Sequence, residues 1–172
     1  MQGFRIPARI SPFLDSPRHG LYTGSVTPVR FRELSSSIVA CAAQLVYTGN
    51  TGDSYRLLSA ADRLLRSFAD PGFGNPAPLA DELALAVSFL EILRILTRFE
   101  IDLVVDLDKE ARSASFVDGG SLVDAMDELV AAHASAARPI RIALIENGES
   151  GGRGFLLVAG DTRVPIPAGG DR

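Results

Sequence analysis

The sequence of 172 residues predicts a mixed α+β protein, in which an N-terminal helical hairpin precedes a small α/β sandwich. Two amphipathic helical patterns are separated only by the turn 48–52, which predicts two antiparallel helices. A third helical pattern, 79–99, is apolar on most sides, as is typical of a helix buried between layers. Alternating strand patterns then flank one further helix, which completes the sandwich.

The composition is that of a folded protein. Apolar residues make up 47% of the chain, which favours a filled core over disorder. The net charge of −4 argues against general binding to nucleic acid or to anionic membranes. The longest apolar run, 83–96, contains Glu91 and Arg94 and is too short to span a bilayer. With a single cysteine, Cys41, and no signal-peptide pattern, we expect a cytoplasmic protein without membrane insertion.

The first 28 residues are expected to form an extended arm, because prolines recur through them and proline is unfavourable inside a helix. We expect the arm to pack across the body of the protein or across a partner, through Phe4, Ile6, Ile10, Phe13 and Leu14. The rest of the chain divides into the hairpin, 29–70, and the α/β part, 71–172.

The hairpin helices carry apolar residues at helical spacing. The first helix is predicted over 29–47, and the second begins after a cap at Asp53 or Ser54 and stops before Pro71. Neither stripe can be covered by one partner helix alone, so a second copy of the hairpin would complete a four-helix bundle. The predicted stripes are Leu34, Ile38, Cys41, Ala42 and Leu45, then Leu57, Leu58, Ala61, Leu64, Leu65 and Phe68.

The α/β part begins with the helix 79–99, for which Pro78 is a suitable first-turn residue. A strand follows over 101–108, and Ser121 is predicted to cap a helix that ends at His133. Strands over 140–145 and 155–158 are expected to form a β-hairpin. The tail, 164–172, is rich in proline and glycine and is expected to be loose.

Three segments of this pattern resemble sensor histidine kinases of the LytS/YehU type, over roughly residues 27–163. Pro28 corresponds to the proline that precedes the family's phospho-accepting histidine, and the run 57–66 is similar to the leucine-arginine segment of its second hairpin helix. The segment from Leu79 through Phe89 to Arg98 and Phe99 is similar to the family pattern L-x-x-E-L, Y-L-x-I and R-F. The resemblance implies a dimerisation hairpin followed by an ATP-binding domain.

The residues that the family uses for phosphotransfer are replaced here. Val29 stands where the phospho-accepting histidine is expected. In the family's E-N-A-x-x-H box, the chain keeps Glu128 and His133 but has Leu129 in place of the asparagine that binds Mg²⁺, and leucine offers no oxygen to a hard cation. The Asp-x-Gly box keeps Asp161 and loses its glycine, and no glycine-rich lid follows.

We therefore expect a vestigial nucleotide cleft made of Glu128, His133 and Asp161, without catalytic residues, a bound metal or a cofactor. For His133 the simpler interpretation is a cation at a helix C-terminus, where the helix dipole favours it. Glu128 alternatively is a surface carboxylate.

Three other sequence patterns are weaker indications of a functional site. The glycines at 119–120 and 151–154 lack the spacing and the lysine of a phosphate-binding loop. The row Asp102, Asp106 and Asp108 is typical of the wet side of a half-covered sheet, or alternatively lines a cation site. His19 lies in the arm and is interpreted as a solvated residue or, less simply, a phosphoryl acceptor.

These observations predict a catalytically degenerate, histidine-kinase-like signalling protein of a bacterial two-component pathway. It is expected to form a homodimer through the hairpin and to bind a response regulator or a partner kinase, with Arg30, Glu33 and Arg63 on the docking surface. Two alternatives stay open. One is a histidine phosphotransferase, which relays phosphate between regulators, and the other is a sensor domain that binds a small ligand in the old cleft.

Overall fold

The computed structural model describes residues 28–133, 139–147 and 154–169, so the predicted arm and the loop 148–153 lie outside the described part. Within those ranges the chain forms five helices and two sheets, and the predicted α+β class is confirmed. Neighbouring elements stack in layers. A four-stranded sheet lies at one side, two helices cover one of its faces, and a further pair of helices packs on one of these two.

The helix pair consists of α1 (Pro28–Tyr47) and α2 (Thr51–Ala69), joined by a three-residue turn. The cap of α2 is Asn50, whose side chain accepts a hydrogen bond from the Asp53 backbone N–H at 3.2 Å. The prediction of a cap at Asp53 or Ser54 is therefore wrong. Ser54 instead donates its hydroxyl proton to the Ala42 carbonyl at 3.2 Å, which ties the start of α2 to α1.

Helix α3 (Leu79–Thr97) is buried on most sides, as its apolar pattern predicts. It ends at Arg98, which adopts the left-handed conformation (φ 62°) that terminates many helices. The Arg94 side chain donates from Nε to the Ile101 carbonyl at 2.7 Å, so the end of α3 is bonded to the start of the next strand. This bond positions the helix over the edge of the sheet.

The large sheet has the strand order β2 (Ile101–Asp106), β4 (Ile140–Glu146), β5 (Gly154–Ala159) and β6 (Thr162–Pro167). The β2–β4 pair is parallel, and the other two pairs are antiparallel. The predicted β4–β5 hairpin is thus confirmed, whereas the prediction of a loose tail is wrong for residues 164–167, which belong to β6. The last strand carries two prolines, which an edge strand tolerates because one side of it needs no hydrogen-bond donors.

Three short elements were not expected from the sequence. Strand β1 (Pro76–Pro78) pairs with β3 (Phe116–Asp118), and helix α4 (Lys109–Ala114) lies between β2 and β3. The predicted strand 101–108 is therefore too long. Asp108 caps α4 instead, since its carboxylate accepts a hydrogen bond from the Ala111 backbone N–H at 2.6 Å.

Helix α5 (Ser121–His133) lies beside α3 on the inner face of the sheet, where it contacts β4, β5 and β6. Its largest apolar side chains are completely buried in the core that joins helices and sheet. Ser121 belongs to the helix itself, and its buried hydroxyl has no hydrogen-bond partner among the described residues. The predicted Ser121 cap is therefore wrong, and another side chain serves this helix end.

Candidate functional site

The predicted cleft residues lie at the C-terminal end of α5 and in the β5–β6 turn. His133 is half-buried, and its Nδ1 lies 2.8 Å from the Leu129 carbonyl, to which it donates. Its Nε2 lies 3.6 Å from the position that a Cβ on Gly160 would take, so the ring borders the turn that carries Asp161. The structure thus brings His133 next to the turn, with Asp161 exposed beyond it.

Glu128 does not join this group. It is exposed and lies five residues before His133, which places the two side chains about 140° apart around the helix axis. Leu129, which the sequence resemblance aligns with a magnesium ligand, is completely buried in the core. Among residues 28–133, 139–147 and 154–169, no three acidic, histidine or cysteine side chains are grouped as a metal site would require.

The three aspartates of the predicted strand 101–108 have different roles in the structure. Asp102 and Asp106 are exposed on the face of the sheet opposite α3 and α5, in agreement with the prediction of a wet face. Asp108 is occupied as the cap of α4. The alternative of a cation site on this row has no support in the described part of the chain.

A groove of about 510 Å³ lies elsewhere, between the C-terminal half of α2, the loop 70–78 and the first turns of α3. We call it the α2–α3 groove. Its walls are partly apolar, with Phe73, Ala77 and Leu85, and partly charged, with Arg63, Asp70 and Asp81. Arg63 was predicted to lie on the docking surface of the hairpin, and its exposed side chain lines this groove.

Glu82 lies at the bottom of the groove and is only 4% exposed. Its Oε2 accepts a hydrogen bond from the Gly120 backbone N–H at 2.9 Å, so this carboxylate serves the N-terminus of α5 in place of Ser121. Burial raises the pKa of Glu82, and the backbone N–H groups of Gly120 and Leu122 oppose that rise. Sequence reasoning missed this role, although an acidic residue in a buried helix was a usable signal.

Phe73 forms the outer wall of the groove and is held from two sides. Its ring meets Phe68 edge-to-face with centroids 4.8 Å apart. On the other side it packs over Gly120, where an added Cβ would lie 2.6 Å from the ring. The loop 70–78 is thereby fastened to both α2 and the start of α5.

A second surface feature is an apolar stripe on each of α1 and α2. The side chains are exposed by 65% at Val39, 57% at Val46, 47% at Leu58 and 36% at Leu65. The last two belong to the predicted stripe of the second hairpin helix, which was expected to need more than one partner helix to cover it. A spacing of seven residues, about two helical turns, places each pair on one side of its helix.

Both stripes lie on the side of the helix pair that faces away from α3. Arg56 of α2 forms an ion pair with Glu91 of α3 at 2.5 Å, and Leu58 lies two residues on, about 200° around the axis. In α1, the half-buried Cys41 is close enough to Arg98 for that charge to act on its pKa, although burial raises the pKa overall. Val39 lies two residues before Cys41, again on the opposite side.

The remaining predicted docking residues lie in the first turns of α1. Arg30 and Glu33 both belong to this helix, and their side chains lie outside the described part of the structure. None of the described helices is long and apolar enough to cross a membrane. Neither a comparison with protein-family models nor one with curated protein sequences finds a match to this chain.

Proposed function

We propose that this chain is a catalytically degenerate, histidine-kinase-like protein that acts in bacterial two-component signalling through protein–protein contacts. In this proposal α1 and α2 form a dimerisation hairpin, and the partner is a response regulator or an active kinase. The proposal extends the sequence resemblance to LytS-type kinases.

The apolar face of α1 and α2 carries this proposal. Exposed valine and leucine side chains lie at helical spacing on the same side of two adjacent helices, and contiguous apolar patches mark interaction sites. Burying such a face against its own copy would make a four-helix arrangement with a symmetric interface.

The state of the predicted cleft supports a role without phosphotransfer. The side chain at the magnesium-ligand position, Leu129, is part of the core, and His133 Nδ1 is held by a backbone carbonyl. Histidine phosphotransfer requires an acceptor on the hairpin, and neither described helix of the pair contains a histidine. The relay alternative is therefore less well supported.

The dimer is tested by light scattering on the wild-type protein and on Val39→Lys with Leu58→Lys. We expect a dimer for the wild type and a monomer for the double variant, because a lysine on each helix places charge in the apolar contact. Val104→Lys, on the exposed face of β2 at 44% exposure, is the matched control and should stay dimeric. A monomeric wild type, or a dimeric double variant, would contradict the proposed contact.

The absence of kinase activity needs a separate measurement. Purified protein is mixed with labelled ATP and Mg²⁺, and both phosphate incorporation and nucleotide binding are followed. We expect neither, because no described oxygen ligand stands at the magnesium position. Autophosphorylation, or saturable ATP binding at micromolar concentration, would overturn the degenerate interpretation while leaving the dimer intact.

A further inference from the structure

We propose that the N-terminal arm of this same chain, residues 1–27, docks in the α2–α3 groove. This inference stands on the groove and on the chain that precedes α1, and it does not depend on the signalling role proposed above. Three features indicate that the arm binds in the groove: the place where the arm joins the body, the opposite charges of arm and groove, and the apolar side chains of both.

The arm joins the body at the groove's end of the molecule. The Ser54–Ala42 hydrogen bond places these residues side by side. Fourteen residues toward the start of α1 lead to Pro28, and fourteen toward the end of α2 lead to Phe68, with equal rise per residue in both helices. Pro28 therefore lies level with Phe68, whose ring contacts the groove wall at Phe73.

The length of the arm is sufficient to reach the groove floor. Phe13 precedes Pro28 by 15 residues, which can span up to roughly 50 Å when extended. Residues nearer the N-terminus than Phe13 can reach farther still. The arm is therefore long enough to reach the groove, which lies at the same end of the helix pair as the start of α1.

The charges of the two surfaces are opposite. The arm carries Arg5, Arg9 and Arg18 against Asp15, a net charge of +2, whereas residues 28–172 carry −6. At the groove itself the exposed charges are the two carboxylates of Asp70 and Asp81 and the one guanidinium of Arg63. Opposite charge favours this encounter and disfavours docking of an acidic segment.

The apolar side chains also match in kind. The groove offers Phe73, Ala77 and Leu85 to a ligand, next to acidic side chains on its rim. The arm supplies aromatic and aliphatic residues between its arginines, namely Phe4, Ile6, Ile10, Phe13 and Leu14. A basic, apolar peptide is the chemistry that such a groove accepts, and the arm is such a peptide tethered beside it.

The test uses the full chain with the photoreactive residue p-benzoylphenylalanine in place of Phe13. After illumination, peptide mapping by mass spectrometry identifies what the residue has joined. We expect cross-links to residues 70–85. The same residue in place of Tyr47, which is exposed at the other end of α1, is the control and should leave the groove unlabelled.

Two further measurements distinguish docking of the arm in its own groove from other binding modes. Mixed ¹⁴N and ¹⁵N protein shows whether a cross-link joins one chain or two, and we expect one. Asp81→Lys, on the groove rim, should lower the yield several-fold, whereas Asp102→Lys, exposed on the sheet, should leave it unchanged. Cross-links to Val39 or Leu58, cross-links between chains, an absence of cross-links, or equal yields in the two lysine variants would each overturn the proposal.

Discussion

The backbone N–H of Gly120 donates a 2.9 Å hydrogen bond to the buried carboxylate of Glu82, which lies 38 residues earlier in the sequence. The bond links the first turn of α3 to the start of α5. Since the loop 70–78 packs over the same glycine through Phe73, this contact connects the helix pair, the groove and the sandwich. Its removal is expected to loosen all three together.

Replacing Glu82 tests the strength of this link. Glu82→Leu leaves the Gly120 N–H buried without an acceptor and should cost about 2–3 kcal/mol in the free energy of unfolding. Glu82→Gln keeps one acceptor oxygen and should cost about 1 kcal/mol. Urea unfolding measures both. Equal losses in the two variants would show that the side chain contributes by its volume and not by its acceptor.

The same carboxyl group should make stability depend on pH. Burial raises the pKa of Glu82 above its ordinary value of 4.5, so in the window above 4.5 the folded protein binds more protons than the unfolded chain. The contribution of Glu82 is therefore fully present below pH 4.5 and is lost as the pH rises toward the raised pKa.

Unfolding free energies of wild type and Glu82→Gln, measured from pH 4 to pH 7, check this sign. The advantage of the wild type over the variant should shrink as the pH rises, because only the wild type loses a proton at this position. An advantage that grows with pH would mean that the hydrogen bonds, and not burial, dominate the pKa of this group.

A methyl group at position 120 should be costly for two separable reasons. Gly120 has φ of +83°, where an L-residue is strained by roughly 1–2 kcal/mol, and its Cβ would overlap the Phe73 ring. Gly49→Ala is the matched control, since Gly49 has φ of +79° with open space around it. Thermal unfolding should show a clearly larger loss for Gly120→Ala, and similar losses would contradict the ring contact.

Placing asparagine at position 129, where the resemblance to LytS-type kinases expects a magnesium ligand, should not create a nucleotide site. Leu129 is completely buried, so Leu129→Asn removes core volume and buries an amide, at an expected cost of about 3 kcal/mol or more. Glu128→Asn, at the exposed neighbouring position, should change stability by less than about 0.5 kcal/mol. Denaturant unfolding and ATP titration follow both. Magnesium-dependent ATP binding by Leu129→Asn would show that the side chain can turn toward a cleft.

Local patterns predicted the main helices and three of the six described strands. The 3.6-residue period of α3 and α5 and the alternation of β4 and β5 are properties of short windows, and the structure confirms them. Boundaries were less accurate where two capping residues competed. Asn50, Asp53 and Ser54 are all suitable N-caps, and in the structure Asn50 is the cap while Ser54 bonds to α1.

The sequence by itself determined the α+β class, the order of the main helices and the presence of leucine at position 129, because these depend on residue type and on spacing within one element. Only the tertiary structure decided that Glu82 serves the start of α5, that Arg63 lines a groove, and that Leu58 faces outward. Each of these depends on which distant segment lies opposite, and pairing of distant segments is set by the packing of the whole core, which no local window contains.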